Sequence, residues 1–416
     1  MSKFRRIVAQ LASGTLLSQA IVLLAMPFLT RFIAPASFGG LALFSSIYAV
    51  LSGIFTLKYE QSILLPQEKE NAKLLTVLTV ALSFCFSMVL LFVLGYCIYR
   101  KLIDYYWLCL PVCTFMAAIH SSSQQWSARM SNYRAYSTSL VLGSIVNSLT
   151  CVFLAEISGD SIGALVIGMM LGLLTSVAYV LFSNGIQIIT DSKSMWSECR
   201  RVFRQGLIYR EFPINVLPTS LAIGAASYAP PLIISAVYSA SDTGHYAVAT
   251  KFVLLPSIML GVAISEAFRA EFMERIRVNG SIDIFTRALI KRIFIFGVPL
   301  AILMALVAPF AFHLVFGEKY EYSGILVRYL VTGILGMFIS QSLQCIFIGL
   351  RRSRIGLVLQ GCMSIVPLAL LYICSFALQF KYALMIYSSS VFLISLVIIG
   401  SALKLTRVYD LKLSRN

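Results

Sequence analysis

Long apolar runs alternate with short polar connections along this chain, and twelve such runs can be counted. They cover roughly residues 7–30, 38–57, 74–99, 105–125, 136–156, 162–183, 214–238, 247–268, 292–314, 323–349, 356–377 and 383–403. A helix needs ~20 mostly apolar residues to cross a bilayer, and each run supplies about that length. Strictly alternating segments of ~10 residues, the mark of a membrane β-barrel, do not occur. The pattern predicts an all-α, polytopic membrane protein with twelve transmembrane helices. The first run follows Lys3, Arg5 and Arg6 and has the look of a signal peptide, with Ala34 and Ala36 as a cleavage-like pair. It is too long for the apolar core of such a peptide, and Arg31 lies before the pair. An uncleaved first helix is expected.

Composition agrees with this reading. Hydrophobic residues make up 59% of the 416, and charged ones 12%, against ~25% charged in soluble domains. The net charge is +16, which in a soluble protein would point to nucleic acid. Its placement decides otherwise. Most cations sit in alternate connections: Lys58, Lys69 and Lys73; Arg129 and Arg134; Lys193 to Arg210; Arg269 to Arg292; Arg351, Arg352 and Arg354; and the C-terminus. By the positive-inside rule both termini are cytoplasmic, and no nucleic-acid partner is expected. Connections on the other side are short and leave no external domain. The longest connection, 184–213, is basic and partly amphipathic through Trp196, Val202, Phe203, Leu207 and Ile208. Two readings stand for it: a helix on the anionic inner leaflet, or a solvated linker.

That connection separates six runs from six. The expected organisation is an N-terminal six-helix lobe at 1–183, a cytoplasmic linker at 184–213 and a C-terminal six-helix lobe at 214–416. The halves look related. Pro27 precedes Gly39-Gly40-Leu41-Ala42, and Pro231 precedes Gly244-His245-Tyr246-Ala247. Gln125 to Arg134 and Cys345 to Arg354 share one spacing at the ends of spans four and ten. Six helices per half gives repeats of the same orientation, related by a pseudo-two-fold axis along the membrane normal. Transporters built this way bind substrate between the halves and alternate by rocking them.

Candidate chemistry is sparse and therefore informative. Span two carries Ser45, Ala49, Ser52, Thr56 and Glu60 at steps of three and four, which is one helix face. That face is either the wall of a wet cavity or a seam of close helix packing, and packing leaves Glu60 unexplained. Span seven repeats the trait with Ser220, Gly224, Ser227, Pro231 and Ser235, and span one with Gln10, Gly14 and Ser18. Three cations, Arg31, Lys251 and Arg328, lie near the outer ends of spans. A charge at mid-membrane costs at least ~2.5–3.5 kcal/mol. Each cation either faces a wet cavity or snorkels to the outer headgroups. His120, before the polar run Ser121 to Gln125, is either a proton-coupling group or a hydrogen-bonded interface residue. His245 and His313 are expected to see water, and Glu266 to cap the inner end of span eight beside Arg269. No phosphate-binding glycine loop, catalytic Ser or Cys arrangement or metal-ligand spacing occurs, so neither a cofactor nor a metal is expected. The nine cysteines lie almost all within apolar runs.

Thr30-Arg31, Pro35-Ala36-Ser37-Phe38-Gly39, Leu57-Lys58-Tyr59-Glu60 and Leu65-Pro66 resemble the opening of bacterial oligosaccharide flippases. These are the Wzx-type proteins of the polysaccharide-transporter branch of the multidrug/oligosaccharidyl-lipid/polysaccharide (MOP) exporter superfamily. Leu217-Pro218, Pro230-Pro231-Leu232, Gly244-His245-Tyr246-Ala247 and Phe316-Gly317 extend the resemblance. It implies two six-helix lobes around a central cavity in the bacterial inner membrane. The implied substrate is an undecaprenyl-pyrophosphate-linked oligosaccharide, moved from the inner to the outer leaflet. Arg31, Lys251 and Arg328 would hold the anionic head, and Lys58, Glu60 and His120 would guide admission or gate the inner face. Relatives often carry Arg-Tyr-Glu where this chain has Lys58-Tyr59-Glu60; lysine keeps the charge and loses the two-point fork. Membrane lipids and other polysaccharide-assembly proteins, such as a glycan polymerase, are the expected partners of a monomer. Rival readings are a drug/cation antiporter of the same superfamily, a lipid II flippase, and an enzyme of glycan polymerisation or ligation. Cations outnumber acids in these spans, which disfavours the antiporter. Short outside loops disfavour the enzyme.

Overall fold

The structure is a computed structural model that describes residues 3–184, 195–278, 280–350 and 352–413. Over 3–12, 195–199, 255–267 and 269–270, and at 348, 353 and 412, it describes the backbone alone. Twelve long helices are found among the described residues. They are α1 (Lys3–Phe32), α2 (Pro35–Phe55), α3 (Lys69–Tyr99), α4 (Cys109–Arg129), α5 (Tyr133–Ser158) and α6 (Ile162–Ser183). After a shorter helix α7 (Met195–Ile208) come α8 (Leu217–Val237), α9 (Ala240–Arg277), α10 (Asp283–Phe316), α11 (Glu321–Gly349), α12 (Ser353–Ser375) and α13 (Phe380–Leu413). Each coincides with one of the apolar runs. Ten are long and apolar enough to cross a membrane on composition alone. Of the other two, α4 is diluted by its polar C-terminal half, and α9 contains stretches of undescribed side chains. This is a multi-pass membrane protein.

The chain forms two compact units, Met1–Gly224 and Ala225–Asn416, with α8 crossing the boundary. In both units the second and third long helices pack on the fourth, and the fifth and sixth pack together. Small residues permit these approaches. A Cβ on Gly172 of α6 would lie 2.6 Å from the Gly143 carbonyl of α5. A Cβ on Gly336 of α11 would lie 2.9 Å from the Phe392 Cα of α13. The matched Pro/Gly segments also share a structural role. Gly39 and Gly244 are both buried, four residues after the first residues of α2 and α9, Pro35 and Ala240.

Helix ends follow local chemistry. Pro35 begins α2, where a missing N–H is harmless; the preceding Ala34 N–H donates to Asp160 Oδ1 at 2.9 Å. At the end of α3, Lys101 is left-handed (φ 55°). There the Leu102 N–H reaches Cys97 O and the Lys101 N–H reaches Ile98 O, a Schellman closure. The 184–213 region is helical over α7. Val202 and Gly206 of α7 are buried, and the helix packs on α3 in the first unit. Phe203, Leu207 and Ile208 are exposed on the opposite side.

Candidate functional site

The stretch between α2 and α3 concentrates the unusual features. The hydroxyls of Ser45, Ser52 and Thr56 bond back to carbonyls of their own helix, Leu41, Ala49 and Ser52. The stripe on α2 is therefore satisfied internally. It does not continue to Glu60 as one face, which corrects the expectation from spacing. The helix stops at Phe55, and Leu57 and Lys58 both adopt left-handed backbone, φ 48° and 60°. A left-handed residue costs a non-glycine side chain free energy, so two in succession must be held by their surroundings. The chain then turns into a 3-10 helix, Tyr59–Leu64.

Lys58 folds back across Gly53, where a Cβ would stand 3.5 Å from its Cε. Its Nζ lies 3.6 Å from Glu60 Oε1, with side-chain exposures of 22% and 7%. Glu60 Oε2 is buried without a hydrogen-bond partner among the described residues. A buried carboxylate oxygen lacking a donor is costly, and such groups concentrate at functional positions.

Tyr59, between these two charges, does the anchoring. It is buried with Ile63, Ala72, Leu75 and Trp126. Its hydroxyl donates to the Gly206 carbonyl of α7 at 3.0 Å, and burial pushes that hydroxyl's pKa up. Gln205 Nε2 donates to Asn71 Oδ1 at 2.9 Å, so α7 is tied to the start of α3 as well. Arg129, in the last turn of α4, closes the loop from the other side. Nη1 donates to the carbonyls of Ile63 (3.2 Å) and Pro66 (2.7 Å), and Nη2 to Gln67 (3.0 Å). Sequence reading counted Arg129 only as a topology marker. Its one visible signal is its place four residues after the polar run Ser121 to Gln125 of α4.

The remaining candidates separate. His120 stacks at a tilt on Tyr136, 5.4 Å between centroids, and its Nε2 is buried without a partner among the described residues. Arg31 is exposed in the last turn of α1, where a cation complements the helix dipole. Lys251 is exposed on α9. Arg328 is exposed on α11, and its Nε donates to the Ala305 carbonyl at 3.1 Å. That carbonyl needs an outside donor, because Pro309 sits four residues on and has no N–H. A Cβ on Gly324, one turn before Arg328, would lie 2.8 Å from Pro309 Cα. So α11 braces the proline in α10 by close backbone approach and by a charged donor. His245 is a correction: it is buried, with Nδ1 2.8 Å from Ser323 Oγ and Tyr322 edge-on at 5.1 Å. His313 is exposed near Glu321 at 3.8 Å. The side chains of Glu266 and Gln10 lie outside the described residues.

Twelve long helices in two units define an all-helical, multi-pass membrane protein. Solved structures agree on the fold. The chain is similar to a multidrug resistance MATE family transporter of the MOP superfamily in its inward-facing conformation, with TM-score 0.71 and 14% identity over 96% of each chain. It is also similar to the lipid II flippase MurJ in an inward closed conformation, with TM-score 0.70 and 11% identity over 97% of this chain and 90% of that one. A MOP superfamily transporter from Pyrococcus furiosus gives TM-score 0.57 and 13% identity over 99% and 96%. No curated protein matches the sequence. The chain belongs to the family described as polysaccharide biosynthesis protein, which matches residues 28–324.

Proposed function

We propose that the protein moves undecaprenyl-pyrophosphate-linked oligosaccharide units from the inner to the outer leaflet of the bacterial cytoplasmic membrane by alternating access. The observation that carries this reading is the polysaccharide biosynthesis family match on a MATE/MurJ-type transporter fold. The cations in or beside the spans support it, since an anionic pyrophosphate asks for cations and Arg31, Lys251 and Arg328 lie in α1, α9 and α11. In this reading both termini are cytoplasmic and the protein acts as a monomer among membrane lipids and polysaccharide-assembly proteins such as a glycan polymerase. Arg31, Lys251 and Arg328 hold the pyrophosphate. Lys58 and Glu60 form an inner gate, with His120 beside the path.

The test is to replace Arg31, Lys251 and Arg328 together by Gln and to follow surface glycan and protein level. Glycan display should disappear while the protein persists; unchanged display would remove the three residues from the site. Purified protein in liposomes separates the rival substrates. It should translocate a lipid-linked oligosaccharide and leave lipid II and organic cations where they are.

A further inference from the structure

Helix α7 has two unlike sides, and one is taken up by the first unit. A Cβ on its Gly206 would lie 2.9 Å from Leu78 Cδ2 of α3 and 3.6 Å from the Tyr59 hydroxyl. Gln205 reaches Asn71 of α3. Just past the end of α7, Tyr209 and Phe212 pack on the cluster of Tyr59, Ile63 and Trp126. These contacts also fix the level of the helix. Asn71 lies in the polar first turn of α3 and Leu78 in its apolar run, ~10 Å apart along the axis. α7 therefore lies where the apolar part of a spanning helix begins.

The other side is open and mixes two chemistries. Arg200, Phe203, Arg204 and Leu207 recur at spacings of three and four, which share one helix face, and all four are exposed. Ile208 continues the face one turn beyond Arg204. Phe203, Leu207 and Ile208 stand 66%, 56% and 59% exposed. From Arg200 to Arg210 the chain has four arginines and no acid. Neither Arg200 nor Arg204 has an acidic partner among the described residues. A linker in water gains nothing from three large apolar side chains held outward, and the cost of exposing them vanishes in lipid. Apolar side chains at the acyl boundary with arginines beside them are the pattern of an interfacial helix. The arginines set the sign of the surface, since guanidinium donates to lipid phosphate and is drawn to a net anionic leaflet. An acidic protein would answer the arginines and an apolar one the three side chains. An anionic bilayer supplies both, at the level where α7 lies.

We infer that the outer face of α7 docks on anionic phospholipid, with headgroup phosphates against Arg200 and Arg204 and with Phe203, Leu207 and Ile208 in the acyl boundary. The docked helix in turn holds the link between α2 and α3, because Tyr59 of that link donates to the Gly206 carbonyl. Charge at the membrane surface thus bears on the segment that carries Lys58 and Glu60. The inference stands without the flippase reading, since the lipid here is the surrounding bilayer and not a cargo.

The experiment places the full-length protein in two kinds of vesicle, pure phosphatidylcholine and an equal mixture of phosphatidylcholine and phosphatidylglycerol. Backbone hydrogen exchange is followed by mass spectrometry. Exchange over 200–208 should be about tenfold slower in the mixture, the scale of two cations at an anionic surface. Exchange over 59–64 should slow with it. Salt at ~1 M, where the Debye length is ~3 Å, should erase the difference. Arg200→Gln with Arg204→Gln should remove most of it at low salt and leave exchange in phosphatidylcholine unchanged. Arg200→Lys with Arg204→Lys should keep most of it. Phe203→Ser with Leu207→Ser should speed exchange over 200–208 in both vesicles. Equal exchange of the unaltered protein in the two vesicles overturns the inference. So does a difference that survives in full when both arginines are lost, which would report only the surface pH of the vesicle. Unchanged exchange in the Phe203 and Leu207 variant takes the apolar strip out of the lipid and overturns it as well. Slower exchange over 200–208 with 59–64 unaffected overturns the hold on the link.

Discussion

The link between the second and third long helices is held in opposite ways in the two units. In the first unit, residues 56–68 form a short 3-10 helix and the turn after it, and a cation answers carbonyls of both. Arg129 donates to Ile63, Pro66 and Gln67. In the second unit, residues 280–282 run directly into the N-terminus of α10, whose first amides lack partners, and an anion fills that need. Asp410 Oδ1 accepts from the Ile282 N–H at 3.0 Å, and Oδ2 accepts from the Asp283 N–H at 3.0 Å and from Ser281 Oγ at 2.6 Å. Helix starts expose amides and helix ends expose carbonyls. The sign of the clamp therefore follows from which end of a helix the link presents. Two units with a shared helix-packing pattern come to carry different charges for a reason of backbone chemistry, independent of substrate. The first unit has the more elaborate link, because it also buries Tyr59 and Glu60 and ties down α7.

The comparison can be broken at its most costly point first. Lys58→Ala leaves Glu60 buried without its counter-charge, and such a loss costs about 3–5 kcal/mol. Thermal unfolding of the purified protein should show it, and Lys58→Ala with Glu60→Ala should recover most of it. Recovery in the double variant separates charge burial from damage to the left-handed turn. Arg129→Ala removes three charged contacts at once and should destabilise by about 3 kcal/mol. Arg129→Lys should restore only part, since an ammonium lacks the fork that spans several carbonyls.

The second unit's clamp should be weaker, because a half-buried carboxylate capping a helix start is a smaller device than a cation binding three carbonyls. Asp410→Ala should cost about 1–2 kcal/mol, read by the same melting experiment. Faster hydrogen exchange at Ile282 and Asp283 should accompany it. A loss from Asp410→Ala as large as that from Arg129→Ala would mean that the two links are equally built. Tyr59→Phe is the finest cut. It removes one hydrogen bond to Gly206, worth about 1 kcal/mol. Its signature should be faster tryptic cleavage at Arg200 and Arg204 with little change in melting.

Much of this fold was legible from the pattern alone. Twelve apolar runs became twelve long helices because a spanning segment must satisfy its own backbone in lipid. The Pro/Gly matches near 27–42 and 231–247 marked equivalent helix starts. The site was legible only in part. Glu60 stands out at the end of the span-two stripe and Lys58 in the motif beside it, and the two form an ion pair. The face through Ser45 and Glu60 failed because helical spacing was extended past Phe55, while Leu57 and Lys58 turn left-handed without a glycine to announce it. His245 was placed in water from its position in a turn, yet Ser323, Tyr320 and Tyr322 cover it from a distant segment. Asp410 passed unnoticed, although a lone acid among Lys404, Arg407 and Lys412 was a usable signal.

The sequence by itself determined the number of spans, the basic alternate connections and the broad class of protein. Hydrophobic length and charge placement are properties of short segments, so no tertiary information was required. Only the tertiary structure decided which polar groups answer each other. Arg129 reaches carbonyls more than sixty residues away, Tyr59 reaches Gly206, and Arg328 supplies the Ala305 carbonyl that Pro309 leaves without a donor. Such pairings depend on where packing brings helix ends and orphaned backbone groups, and a linear pattern of residues does not contain that information.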